Sequence, residues 1–223
     1  MSYQLRDGLS FCHVDGRPVF LDVPNDRYFM LSASLERAFS AYASNIDTDS
    51  LAPLIERNLL VTARSRSDTQ MPAVALPIRS VLEQQVTAKR ASARDYLEVL
   101  ATVVRIKLML KTKPLGSVLR DVCAYRDARA PSACAPHVAT ISQDIVAFTH
   151  RFLTARSWIP VGRTCLLDSL SLLAFLTNRG LTANIVFGVS LSPFSAHCWV
   201  QCKDVVLNET VTGANSHTRI LTR

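Results

Sequence analysis

No uninterrupted apolar run in this sequence reaches the ~18 residues that a membrane-crossing helix needs, because an Arg or Lys cuts every candidate short. The opening stretch, MSYQLRDGLSFCHVDG, lacks the basic and then apolar regions of a secretory signal, so a cytoplasmic protein is expected. Charged residues are scarce, at 19% against 48% hydrophobic; that excludes a disordered chain and allows a packed core. There is no repeat with a period of roughly 20–50 residues and no low-complexity tract. Nor is there a zinc-finger spacing, an aromatic-rich RNA motif or a phosphate loop, and nucleic acid is not an expected partner. The six cysteines, at positions 12, 123, 134, 165, 198 and 202, form no disulfide-like framework. In a reducing compartment such cysteines are mostly small buried apolar residues.

What is present is an uneven charge. Residues 1–61 hold five basic against eight acidic groups, and residues 62–223 hold twenty against ten, so the net +7 comes from a segment at −3 and one at +10. That asymmetry suggests two modules with different partners.

Residues 10–31 read as three short strands, SFCHV, VFLDV and RYFML, separated by the turn formers Asp15-Gly16 and Pro24-Asn25-Asp26. Ser32 or Ser34 can cap a helix over about 35–44, with Leu35, Ala38, Phe39 and Tyr42 as its apolar stripe. A second helix is expected after Asp49 or Ser50, with Leu51, Leu54 and Ile55 on one face, and Leu59-Leu60-Val61 closes the unit. Residues 62–78, with scattered Ser, Arg and two prolines, read as a linker. Residues 79–113 read as helical and basic, with Tyr96, Leu97, Leu100, Val103, Val104 and Leu108 as the inward stripe. A further helix is expected over about 138–155. The prediction is an α+β protein: module 1–61, linker 62–78 and module 79–223, in which helices precede a short antiparallel sheet.

The chemistry is concentrated in residues 157–209. Leu166, Leu167, Leu170, Leu173, Ala174 and Leu176 make an apolar helix that Asn178-Arg179-Gly180 ends. Cys165 stands at its N-terminus, where unpaired N–H groups and the helix dipole stabilise a thiolate, and Arg163 lies two residues upstream. Its own N–H is placed to donate to the oxyanion of an attacked carbonyl. An isolated cysteine in this position is most often a packing residue; His197 singles this one out. It begins a strand on which His197, Trp199 and Gln201 share one face and Cys198, Val200 and Cys202 the other. The opposed faces argue against a metal site despite the His-Cys-x-x-x-Cys run, so no metal is expected and Cys198 and Cys202 read as core. A catalytic base needs an acceptor that fixes its tautomer, and Asp204, Asn208 and Glu209 are the candidates, Asp204 being the turn residue among them. Asp168 and His217 read as bystanders, one a carboxylate in the first turn of the helix, the other in a polar tail.

The order Cys at a helix start, Gly-terminated helix, Phe-Gly-Val, Ser-Pro-Phe-Ser-Ala-His-Cys-Trp-Val, Val-Leu-Asn-Glu resembles the B protein of lasso-peptide biosynthesis, a transglutaminase-like (papain-like) cysteine peptidase, over about 155–210. Residues 10–61 resemble the small winged-helix, PqqD-like precursor-recognition element found fused to or beside that peptidase. The resemblance implies that the first module takes the precursor's leader as an added strand beside Arg27, Tyr28, Phe29, Met30 and Leu31. It implies that the second cuts the leader from the core through an acyl-enzyme on Cys165, with His197 as base. The family's third member is usually Asp, where Glu209 stands here, and Asn208 remains an alternative; Trp158 is a candidate for shaping the oxyanion side. ATP and an ATP-using, asparagine-synthetase-like cyclase are implied by the resemblance alone. Two other readings exist: a non-catalytic scaffold that presents the precursor to a partner enzyme, and a transferase whose acyl-enzyme is intercepted by an amine.

Overall fold

The computed structural model describes residues 2–44, 51–63, 74–84, 91–129 and 142–223. β1 (Ser2–Leu5) leads into an antiparallel meander of β2 (Leu9–Val14), β3 (Arg17–Asp22) and β4 (Arg27–Met30). The two turns carry positive φ at Asp15, Gly16 and Asp26, as their sequences predict. Asp22 locks the second turn, accepting from Asn25 Nδ2 at 2.8 Å and from Arg6. α1 (Ala33–Ala43) follows with Ser32 at its N-cap, and then come α2 (Ala52–Glu56) and β5 (Leu60–Ala63). The expected caps Asp49 and Ser50 lie outside the described residues. Ile55 is exposed rather than inward, because so short a helix buries only Leu54. β1, which the sequence pattern did not reveal, pairs antiparallel with β5.

Period-two alternation gives the meander two apolar faces. Phe20 stacks on Phe11 and Phe29 and meets Phe39 of α1 edge-on at 4.9 Å. On the other face Cys12, Val14, Val19 and Leu21 enter the main core of the molecule. Of the expected linker, residues 62–63 belong to β5, residues 64–73 lie outside the described set, and Val74 and Ala75 accept hydrogen bonds from Arg219.

Residues 79–92 are not α-helical where described. Arg79–Ser80 form β6, followed by a 3₁₀ turn at Val81–Glu83. Ser80 Oγ accepts from Leu82 N–H and donates to Glu209 O, which fixes an extended geometry there. α3 (Ala93–Thr112) starts at a capping box made by Ser92 and Asp95. Its inward face is Val99, Thr102, Val103 and Ile106, whereas Leu97, Leu100, Val104 and Leu108 are 39–69% exposed, the reverse of much of the expected stripe. α3 is apolar around most of its girth, so its period could not choose a face.

α4 (Leu115–Asp127), α5 (Gln143–Ser157) and α6 (Cys165–Thr177) complete the helical layer. Of the expected helix 138–155, residues 138–141 lie outside the described set. α6 is buried from Ser169 to Thr177 without a break, between the other helices and a sheet. That sheet contains β7 (Asn184–Leu191), β8 (Phe194–Cys202), β9 (Val205–Val206) and, after α7 (Val211–Asn215), β10 (Thr218–Thr222). Its order is β10-β7-β8-β9-β6, antiparallel except for the β6–β9 pair.

Candidate active site

The N-terminus of α6 meets the middle of β8 in a cleft of about 230 Å³ lined by Cys165, His197, Cys198, Asn208, Glu209 and Arg163, among others. Thr164 caps the helix, its Oγ1 accepting from Leu167 N–H at 3.3 Å. The loop before Cys165 is held by a buried arginine. Arg156, 1% exposed, donates to Asp168 at 2.8 Å and to the carbonyls of Ile159, Val161 and Gly162. Asp168 has a structural task here, anchoring both Arg156 and Arg163. Arg163 spends its guanidinium on that carboxylate rather than on the sulfur.

His197 Nε2 lies 2.7 Å from Glu209 Oε2. Oε1 of the same carboxylate accepts from Thr210 N–H at 2.8 Å and from Thr210 Oγ1 at 3.2 Å. A Cβ on Gly213 would fall 2.6 Å from Oε1, so a glycine there gives this longer side chain its room. The other two orienting candidates are engaged elsewhere. Asn208 accepts from Val200 N–H and donates to Ser169 Oγ, joining β8, α6 and the segment after β9. Asp204 forms a two-armed pair with Arg79.

The electrostatics suit a thiolate–imidazolium pair. The Cys198 thiol and the His197 imidazole stabilise the Cys165 thiolate, which outweighs burial and lowers its pKa to about 4. The thiolate in turn, helped by Glu209, raises His197 above the ordinary imidazole range. Burial works to raise Glu209, but the Thr210 N–H and His197 outweigh it and hold the carboxyl below its usual value. With Nε2 taken by Glu209, Nδ1 is the nitrogen left to face the sulfur.

Cys198 is the neighbour of Cys165 that strand parity concealed. It is buried, as a core residue should be, yet its thiol and backbone N–H both act on Cys165, and its own pKa is pushed well above the thiol range by that thiolate. Trp158, by contrast, is 76% exposed and does not line the cleft. His217, read as part of a polar tail, lies with its ring centroid 5.5 Å from that of His197.

The expected leader-binding strand β4 is the outer strand of its sheet. Tyr28 meets Phe194 of β8 edge-on at 6.0 Å, and the two share a groove of about 620 Å³ with Phe29, Met30 and Leu191. Arg27 is exposed, its guanidinium 6.0 Å from the Phe29 ring, while Leu31 is buried in the core beneath α1.

Residues 115–222 match the model of the transglutaminase-like superfamily. No curated protein and no solved structure matches the chain. The molecule is thus a mixed α+β protein carrying a transglutaminase-like domain, from α4 to β10, of a kind that usually houses a cysteine-based catalytic centre. Cys165, His197 and Glu209 all lie within the matched residues.

Proposed function

We propose that this chain is a cysteine peptidase that removes the leader from a lasso-peptide precursor. The observation that carries the reading is the convergence of Cys165, His197 and Glu209 in one cleft at a helix N-terminus. The Cys165 thiolate attacks the scissile carbonyl, and the Cys165 N–H, in the first turn of α6 and without an intrahelical acceptor, receives the oxyanion. His197 Nδ1–H protonates the leaving amine as the C–N bond breaks, leaving a thioester. Water, deprotonated by His197, then releases the leader as a free acid and restores the thiol. The winged-helix-like module of residues 1–61 takes the leader as a fourth strand beside β4. Tyr28 of β4 meets Phe194 of β8 edge-on at 6.0 Å, and both line one groove, which brings that edge next to the strand that carries His197.

ATP is drawn on by none of these steps: the buried Arg156 is spent on Asp168 and three backbone carbonyls, and Arg163 gives Asp168 its Nε–H. We place its use in the asparagine-synthetase-like cyclase that the resemblance implies. The test is mass spectrometry of a lasso precursor peptide incubated with the wild type or with Cys165→Ala, with and without ATP and cyclase. Leader released as a free acid by the wild type alone supports the peptidase. Processing that survives in Cys165→Ala makes the chain a scaffold, and a new amide crosslink makes it a transferase.

A further inference from the structure

Gly188 of β7 lies directly opposite His197 of β8 in the register. A Cβ at Gly188 would fall 2.8 Å from His217 Cβ and 2.9 Å from the Trp199 ring, contacts that real side chains do not make. The glycine thus leaves a slot beside His197, which the Trp199 ring and the Cβ of His217 fill. The centroid of the Trp199 ring is 6.2 Å from that of His197. His217 is fixed at both nitrogens: Nδ1 is 3.0 Å from Gly213 O, and Nε2 is 3.2 Å from Ser195 Oγ. A carbonyl only accepts, so Nδ1 donates to Gly213 and Nε2 accepts from the serine hydroxyl. Ser216 Oγ lies 3.1 Å from Nδ1 as well. The same turn carries the orienting carboxylate, since Gly213 N–H donates to Thr210 Oγ1 at 2.9 Å and Thr210 donates to Glu209.

We propose that His217 is a positioning residue which, tied through Gly213 to the turn that holds Glu209, fixes the plane of the His197 imidazole toward Cys165. The inference rests on the proposed Cys165–His197 pair. Apart from the Cys165 sulfur that it must face, the His197 ring is held by Glu209 at Nε2, and that bond alone leaves the ring free to swing. Rotation would carry Nδ1 off the sulfur, and a packed ring beside it prevents this. Trp199 does part of that work, and His217, anchored to both the turn and β8, does the rest.

The test is the pH dependence of Cys165 alkylation by iodoacetamide, read by mass spectrometry of the Cys165 peptide in the full-length protein. In the wild type the rate should already be high near pH 6. His217→Ala should shift the acid limb of the profile upward by about one pH unit, which slows alkylation about tenfold well below pH 4 and hardly at all near pH 6. His217→Asn, which keeps a donor for Gly213 O, should recover most of the loss. If His217→Ala fails to fold, Ser195→Ala removes the Nε2 contact alone and should shift the profile in the same direction. Profiles that superpose on the wild type overturn the proposal and leave His217 as packing. A wild type that titrates as an ordinary thiol, near ~8.5, removes the Cys165–His197 pair itself and this inference with it.

Discussion

At the scale of single residues, the state of Cys165 depends on what surrounds one sulfur. A buried thiol is pushed upward by desolvation, as Cys12 is, to about 11. Cys165 goes the other way because Cys198 and His197 both donate to its thiolate. The sign of the pH dependence follows. Acylation requires Cys165 deprotonated and His197 protonated, so the rate should rise as pH passes about 4 and fall as it passes the raised value of His197. Cys198→Ala removes the first of the two donors and should move the acid limb upward by at least about one unit. Cys198→Ser keeps a hydroxyl donor and should restore much of the wild-type profile. An acid limb unmoved in Cys198→Ala would return Cys198 to a purely packing role.

At the scale of elements, the seat of Glu209 is built by a five-residue helix, α7, and the turn that begins it. Thr210 caps that helix and binds the carboxylate with the same group of atoms, so cap and site form together. Gly213→Ala would place a methyl 2.6 Å from Glu209 Oε1 and 2.9 Å from Thr210 Oγ1. The carboxylate must then yield, and with it the 2.7 Å bond to His197. Leader cleavage should fall about 10²-fold or more, the size of a general-base contribution, with kcat affected far more than KM. Alanine is otherwise the better helix former by about 1 kcal/mol, so thermal stability should change little. A variant that cleaves normally would show that Glu209 has another way to reach His197.

At the scale of the whole molecule, one apolar core runs from the first sheet through β10 and β7 to α6. Val19 and Leu21 on β3 are as deeply buried as the residues of α6 itself. Leu21→Ala should therefore lower stability by about 2–5 kcal/mol, and the loss should be felt across the molecule. Denaturation followed by the fluorescence of buried Trp199, far away in sequence, is the appropriate readout. A single transition shifted to lower denaturant is expected. A Trp199 transition left unmoved would show that the N-terminal sheet and the transglutaminase-like domain unfold independently.

Much of this architecture was written in local signals. Asp15-Gly16 and Pro24-Asn25-Asp26 set the meander, because turn geometry is decided by the residues in the turn. The apolar run that ends at Asn178-Arg179-Gly180 marked α6, and with it the place of Cys165 at a helix start. His197 was legible from its strand and Glu209 only as one of three acceptors. Local signals stop where a contact joins distant segments. Which face of α3 turns inward was settled by α5 and α6, since α3 is apolar on several sides. Glu209 was separated from Asn208 and Asp204 by the space over Gly213, and Cys198 was brought to the sulfur by the docking of β8 on α6. His217 was delivered by a slot that Gly188 leaves open on a neighbouring strand. The sequence determined the meander, α6 and the candidate pair of Cys165 and His197 because dihedral preference and periodicity act over a few residues. Tertiary structure decided the partners of that pair because they converge from separate elements, and only packing brings them within reach.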